Sequence, residues 1–148
     1  MRAVATDTTF AYSNLKINAT SVTHCEAFAV TVDVTNTGKV DSDEVVQLYV
    51  STPHATVPAP KVRLADFTRV HIHAGTVATV ALTVNPKVHS VVLENVAGSE
   101  PKFWEPTIAV EAGSISLYVG GSQPNIGMET LWGNVTISKG GMLSDCSQ

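Results

Sequence analysis

Residues 28–52, FAVTVDVTNTGKVDSDEVVQLYVST, constrain the fold of this chain more than any other stretch. In the first half, Phe28 and valines at every second position alternate with small or polar residues. Side chains of a strand point to opposite faces in turn, so this pattern predicts a strand with one face in a core. Asn-Thr-Gly at 36–38 predicts a turn, because asparagine and glycine tolerate positive φ. Residues 45–50 alternate again, and we expect the two strands to be central in a sandwich.

Shorter alternating segments with turn residues between them continue along the chain. They cover residues 9–17, 62–72, 77–84, 107–110, 115–119 and 131–137. The proline-rich residues 53–60 predict a surface loop, because proline removes a backbone donor. Residues 87–106 fit a short strand or one helical turn followed by a loop. With no convincing amphipathic helix, the sequence predicts an all-β fold, an antiparallel β-sandwich of seven to eight strands.

Three ordered motifs in these strands resemble a known family. V-x-V-T-N-T-G at 32–38, followed by E-V-V-Q-L-Y-V-S at 44–51, resembles the fibronectin type III-like domain that closes glycoside hydrolase family 3 enzymes, the β-glucosidases and β-xylosidases. Similar signatures follow at 60–75 (PK, LADFTRV, AG) and at 110–122 (VEAG, LYVGGS). The likeness runs from about residue 10 to residue 137 and departs from the pattern at 86–106 and at Gly75-Thr76. It implies an immunoglobulin/fibronectin type III-like sandwich.

The resemblance implies no catalytic residue in this chain. In that family the nucleophilic Asp and the acid/base Glu lie in two preceding domains, a barrel and an α/β sandwich, and neither is found in this sequence. The Ser-Asp pairs at 42–43 and 144–145 do not match the family's nucleophile signature. We interpret the remaining candidate acids as solvated carboxylates: Glu94, Glu100, Glu105 and Glu111. We therefore predict no catalytic residue and no cofactor.

Two histidines form the best candidate for a metal site. His71 and His73 are two positions apart on a predicted strand, so they share one face and could bind zinc with a third ligand. No cysteine or histidine stands nearby at ligand spacing. Exposed strand histidines that face solvent or a neighbouring subunit are the simpler interpretation. The sequence therefore predicts no metal site.

Aromatic residues provide the candidate for sugar binding. The aromatic side chains that could form a stacking platform are Trp104, Trp132, Tyr49, Tyr118, Phe103 and Tyr12. Trp132 and Trp104 are the candidates for glycan stacking, and packing in the core or at the ends of the sandwich is the simpler alternative. We expect Trp132 to be exposed only if its strand carries a bulge near Gly133.

Cysteines and glycosylation sequons favour a secreted protein. Cys25 and Cys146 fit one disulfide that ties the C-terminal tail to the start of the second strand, and two free thiols in a reducing compartment are the alternative. Asn18 and Asn134 begin N-glycosylation sequons, so N-linked glycans are expected there. The first ten residues lack the apolar region of a signal peptide, so the leader is cleaved or omitted, or the chain begins inside a larger gene product.

Composition excludes some partners. The net charge of −4 argues against nucleic acid, which needs a basic face. No apolar run approaches the roughly 20 residues that span a bilayer. Charged residues make up 15% of the chain against roughly 25% in an average domain, which favours a surface buried against something else or covered by glycans.

These features predict one sandwich domain with two extensions: residues 1–8 as an N-terminal extension, 9–138 as the sandwich and 139–148 as a tail. Three functions remain open. The preferred one is a non-catalytic, secreted structural protein, with residues 1–8 donated as a strand to the next copy in an extracellular filament. The second is the accessory domain of a family 3 β-glucosidase or β-xylosidase, with the catalytic domains as its partners. The third is a carbohydrate-binding or adhesive module.

Overall fold

A computed structural model describes residues 9–55, 62–93, 107–121 and 130–146 of the chain. Within these ranges there are eleven strands and two short 3-10 helices. The strands are β1 (Phe10–Ile17), β2 (Ser21–Thr23), β3 (Phe28–Asn36), β4 (Ser42–Ser51), β5 (Arg63–Ile72), β6 (Val77–Val84), β7 (Val91–Leu93), β8 (Thr107–Val110), β9 (Gly113–Gly120), β10 (Leu131–Lys139) and β11 (Gly141–Met142). The 3-10 helices are Pro86–His89 and Leu143–Asp145. Across the described ranges, no helix is both long and apolar enough to cross a membrane.

Two sheets form the predicted sandwich, which confirms the fold class. One has the strand order β1-β3-β6 and the other β2-β10-β9-β4-β5. Their inward side chains form one core cluster, to which both sheets contribute. Strand neighbours in these sheets are antiparallel except β2, which runs parallel to β10. The short strand β2 lies in the segment between β1 and β3.

The two strands of the central stretch lie in different sheets. β3 pairs with β1 and β6, whereas β4 pairs with β5 and β9. The predicted inward side chains are confirmed as core residues, each with at most 3% of its surface exposed: Phe28, Val30, Val32, Val34, Val46, Leu48 and Val50. Each of these two strands thus has a paired strand on both sides. The chain crosses from one sheet to the other between β3 and β4.

The side chain of Asn36 stabilises this crossing through hydrogen bonds. Its side-chain Nδ2 donates to the carbonyl oxygens of Val40 and Ile72, both at 2.9 Å. Its Oδ1 accepts the backbone N–H of Gly38 at 2.9 Å. The expected reason for this turn was wrong, since neither Asn36 nor Gly38 has a positive φ. The asparagine is tolerated at a fully buried position because its amide bonds backbone groups of the connecting loop and of β5 in the other sheet.

A third, small sheet joins the tail to the body of the domain. Its strand order is β11-β8-β7. The segment at 86–93 contains both structures that the sequence left open, a 3-10 helix followed by a strand. Residues 139–146 are not a detached tail: β10 continues to Lys139 and β11 pairs with β8.

Cys25 and Cys146 form a disulfide that closes this region. It links the loop before β3 to the end of the described C-terminal segment, 121 positions away. Several predicted features lie outside the described residues. They are the N-terminal extension 1–8, Phe103, Trp104, Glu94, Glu100 and Glu105.

Candidate functional site

The outward face of the five-stranded sheet carries a row of large side chains contributed by four adjacent strands. The strand register places Leu64 of β5 opposite Tyr49 of β4, Tyr49 opposite Tyr118 of β9, and Tyr118 opposite Trp132 of β10. We call these four residues the aromatic row. All point away from the core, because their strand neighbours Leu48, Leu117 and Leu131 point inward.

The row continues into further exposed apolar surface. Trp132 has 65% of its surface exposed and Leu64 has 46%, while Tyr49 and Tyr118 are half-buried between them. On the next outward position of β5, Phe67 is 61% exposed, and it stands opposite Gln47. Strand spacing of about 4.8 Å gives a row across four strands a width of about 14 Å. The aromatic row and Phe67 therefore form an extended apolar patch on this face.

Hydrogen bonds fix the middle of the row. The Tyr49 hydroxyl donates to Gln47 Oε1 at 2.6 Å, and Gln47 Nε2 donates to the Gly121 carbonyl at 3.0 Å. These bonds use the polar ends of both side chains within the sheet. The ring of Tyr49 is thereby held in place with its apolar surface available to a partner.

Trp132 is exposed without the bulge near Gly133 that the sequence analysis required. The pairing of β10 with β9 runs without a register shift from Leu131 to Ile137, so no bulge is present near Gly133. Leu131, Val135 and Ile137 face inward and Trp132 faces outward by simple alternation. Tyr12, another candidate for the platform, instead lies partly buried between the two sheets and bonds Glu44.

The two sequons differ in their relation to this face. Asn134 is exposed on β10, two positions from Trp132 and on the same face, and its Oδ1 accepts a hydrogen bond from Ser116 Oγ at 3.2 Å. Asn18 is exposed after β1, and its Oδ1 accepts the backbone N–H of Ala29 at 2.8 Å. A glycan on Asn134 would therefore cover part of the aromatic row.

The histidine pair acquires partners that sequence spacing did not reveal. His71 Nδ1 lies 2.6 Å from Asp43 Oδ1, and His73 Nδ1 lies 2.8 Å from Asp41 Oδ2. Both aspartates come from the start of β4 or the loop before it, about thirty positions earlier in the chain. The antiparallel pairing of β4 with β5, in which Asp43 stands opposite His71, brings them together.

Hydrogen bonds stabilise the charged form of both aspartates. The backbone N–H of Ala74 donates to Asp41, and together with His73 it lowers the pKa of that carboxyl. His71, with Arg69 at 2.7 Å from the same carboxylate, lowers the pKa of Asp43. The cluster therefore presents two carboxylates and two imidazoles on the protein surface, where all four side chains are accessible.

Glu111 is the one candidate acid among the described residues. It lines a small pocket between β9 and the segment after β4, together with Thr52, His54 and His89. The acids at 94, 100 and 105 lie outside the described ranges, so no pair of carboxylates can be assigned a separation suited to glycoside hydrolysis.

Comparison with known proteins places this fold in a family. Residues 44–123 match the family described as a fibronectin type III-like domain. A probable β-glucosidase M of Aspergillus niger is 32% identical over 137 aligned positions, and the match covers 80% of this chain and 16% of the relative. A β-xylosidase of Formosa agariphila is 42% identical over 74 residues, half of this chain and 10% of the relative.

Solved structures agree with this assignment. A GH3 β-glucosidase of Bifidobacterium adolescentis superposes with a TM-score of 0.67 and 32% identity, over 88% of this chain and 17% of that chain. β-Glucosidase 3B of Thermotoga neapolitana, in complex with α-D-glucose, gives a TM-score of 0.71 and 25% identity, over 91% of this chain and 16% of that chain. The chain thus spans less than a fifth of the relatives that it matches, and it corresponds to a non-catalytic part of them. It belongs to the fibronectin type III-like domain family, in the form that occurs at the C-terminal end of family 3 glycoside hydrolases.

Proposed function

We propose that this chain is the accessory domain of a family 3 glycosidase and that it docks on the catalytic domains through the aromatic row and Phe67. The observation that carries the proposal is the apolar outward face of the five-stranded sheet, with Trp132 at 65%, Phe67 at 61% and Leu64 at 46% exposure. The match to a small part of much longer glycosidases supports a partner of this kind.

The chemistry of the face suits a protein surface better than a sugar. Tyrosine and tryptophan are enriched in the centres of protein interfaces, where they bury large areas with little loss of side-chain freedom. The row spans four adjacent strands, and this width fits an opposing protein surface. Burial of this face would also explain a chain in which only 15% of residues are charged.

The names of the relatives indicate the substrate class of the proposed catalytic domains. Relatives are named β-xylosidase, β-glucosidase and exo-α-(1→6)-L-arabinopyranosidase. We infer that the catalytic domains docked here remove a terminal hexose or pentose from a glycoside. In that arrangement this domain stabilises the catalytic domains and contributes no acid, base or nucleophile.

The filament remains a prediction, and the comparisons favour the accessory domain over it. The segment proposed for strand donation, 1–8, lies outside the described residues. Light scattering of the chain with and without residues 1–9 tests self-assembly directly. Filaments that disappear on deletion would support the filament and contradict the accessory role.

Secretion is part of the proposal and rests on the covalent chemistry of the chain. The Cys25–Cys146 disulfide is of the kind that persists in oxidising compartments. Mass spectrometry of the native protein, before and after reduction and deglycosylation, measures the disulfide and the occupancy of Asn18 and Asn134. Docking through the aromatic row requires Asn134 to carry no glycan, contrary to the expectation from its sequon, because both would occupy the same surface.

The docking test compares substitutions on and off this face. The purified chain is titrated against the catalytic portion of a family 3 glycosidase from the same organism, prepared without its fibronectin type III-like domain. We expect association, and we expect the Trp132→Ser/Phe67→Ser variant to weaken it strongly. The matched control is Val77→Ser on β6 of the other sheet, which is 58% exposed and should bind as the unsubstituted chain does.

Two results would contradict the proposal. Equal binding by the Trp132→Ser/Phe67→Ser variant would place the interface elsewhere. Saturable binding of oligosaccharides that Trp132→Ala abolishes, without any association with the catalytic portion, would instead identify the aromatic row as a carbohydrate-binding surface.

A further inference from the structure

A cluster of metal-ligating side chains lies at one end of the β4–β5 pair, away from the aromatic row. We call Asp41, Asp43, His71 and His73 the His-Asp cluster. The two histidines project from the same face of the chain because they are two positions apart on and just after β5. Their rings lie edge to face with centroids 5.3 Å apart. Two imidazoles so close together on one face are a common basis for a metal site.

Asp41 supplies the third ligand that the local sequence lacks. One ligand atom from each of Asp41, His71 and His73 lies within 4.8 Å of the other two. Around a tetrahedral ion with bonds of about 2.0–2.2 Å, ligand atoms stand about 3.4 Å apart. Metal binding would replace the hydrogen bond between His73 Nδ1 and Asp41 Oδ2, and side-chain rotations would close the remaining distance between the ligand atoms. These rotations are accessible because the side chains of all three residues are more than half exposed.

Asp43 orients the imidazole ring of His71 through a hydrogen bond. Its Oδ1 accepts a hydrogen bond from His71 Nδ1 at 2.6 Å, and its Oδ2 accepts one from Arg69 Nε at 2.7 Å. A carboxylate that accepts a hydrogen bond from Nδ1–H favours the tautomer with a free lone pair on Nε2, which is the arrangement found behind many metal-bound histidines. Arg69 pairs with the charge of Asp43, so this aspartate orients the ring and is itself not needed as a ligand.

Asp41 is also positioned by the backbone. Its Oδ1 accepts the N–H of Ala74 at 2.8 Å, while its Oδ2 contacts His73 Nδ1. The same turn is tied to β3, because the N–H of Gly75 donates to the Asn36 carbonyl at 2.8 Å. The ligands therefore stand on a turn and a loop that are already bonded to each other, which lowers the entropic cost of assembling a site.

We propose that Asp41, His71 and His73 bind one divalent transition-metal ion, with Zn²⁺ as the expected ion and Asp43 as the positioning residue. Two neutral imidazoles and one carboxylate suit Zn²⁺ and its neighbours, whereas Ca²⁺ and Mg²⁺ prefer sites made of oxygen ligands. The bound ion would connect the loop before β4 to the end of β5. The proposal does not depend on the docking function.

Calorimetry on the untagged full chain tests this site. ZnCl₂ is titrated into the protein after removal of chelators, and CaCl₂ is titrated in parallel. We expect one Zn²⁺ per chain and no saturable heat with Ca²⁺. His71→Ala/His73→Ala should abolish binding, and Asp43→Asn should weaken it by about 10–100-fold while leaving the ligands in place. His54→Ala, which removes an exposed histidine elsewhere, is the matched control and should bind normally.

A second readout separates metal binding from folding. Zn²⁺ should raise the thermal midpoint of the unsubstituted chain and of His54→Ala, because an ion that binds the folded state stabilises it. It should leave the midpoint of the folded His71→Ala/His73→Ala variant unchanged. The proposal is overturned if the unsubstituted chain takes up no Zn²⁺, if the double variant still binds one ion, or if Ca²⁺ binds with equal affinity.

Discussion

The Tyr12 hydroxyl donates a 2.6 Å hydrogen bond to Glu44 Oε2 and thereby joins β1 of one sheet to β4 of the other. Both side chains are partly buried, and this burial raises the pKa of each above its usual value. The partial burial of Glu44 is tolerated because the Tyr12 hydroxyl and the backbone N–H of Val45 donate hydrogen bonds to its carboxylate. The pair is a polar link at the margin of an otherwise apolar sandwich.

Tyr12→Phe should destabilise the domain by about 1–3 kcal/mol, because it leaves the half-buried Glu44 carboxylate without one of its donors. Urea unfolding measures the change. Glu44→Gln and the double variant complete a thermodynamic cycle, and a positive coupling energy is expected. Additive effects of the two substitutions would show that the bond contributes nothing to stability.

Asn36→Ala should also destabilise the domain, by about 2–4 kcal/mol, since it removes three hydrogen bonds and leaves the buried carbonyl of Ile72 unsatisfied. Asn85→Ala, at an exposed position after β6, is the matched control. Chemical denaturation compares the two. A loss no greater than that of the control would contradict the role of Asn36 in the crossing between sheets.

His89 should make stability depend on pH. Burial, followed by the positive charge of Arg63, lowers the pKa of His89 to about 4, from 6.5 for an exposed histidine. Between these values the unfolded chain binds a proton that the folded chain does not, so stability falls as pH decreases from 6.5 toward 4. The full difference corresponds to about 3 kcal/mol.

Denaturation at a series of pH values measures this dependence. His89→Gln should flatten the decline between pH 6.5 and 4 whatever its effect on stability at neutral pH. His54→Gln, at an exposed position of the same pocket, is the control and should keep the decline. An unchanged slope in His89→Gln would assign the pH dependence to other groups.

The Cys25–Cys146 disulfide should contribute about 2–5 kcal/mol, because it closes a loop of 121 positions and restricts the unfolded chain. Cys25→Ser/Cys146→Ser should lower the free energy of unfolding by this amount, which urea denaturation records as a lower midpoint. A reducing agent should lower the midpoint of the unsubstituted chain and leave that of the double variant unchanged. A midpoint insensitive to reduction would contradict a stabilising disulfide.

The sequence predicted much of the layer structure correctly. Phe28 to Val34 and Val46 to Val50 are buried in the alternation that they display, and the predicted all-β sandwich is confirmed. The family was identified from motifs in the same strands. These features are local: which way a side chain faces depends on its own backbone and on a period of two residues.

Sequence reasoning was less successful wherever distant segments meet. It placed a turn at Asn36 for the wrong conformational reason, and it required a bulge for the exposure of Trp132 that the register does not contain. It found three of the four residues of the aromatic row only as members of a longer set of candidates, without the neighbours that they have in space.

What the sequence by itself determined is the class of fold, the inward faces of the two central strands, the family and a pair of cysteines able to form one disulfide. What only the tertiary structure decided is which strands share a sheet, that four strands bring Leu64, Tyr49, Tyr118 and Trp132 into one row, and that Asp41 meets His73. The physical reason is that alternation is set within a strand, whereas pairing is chosen by contacts between strands far apart in the chain. Those contacts form only when both sheets pack together around the complete core.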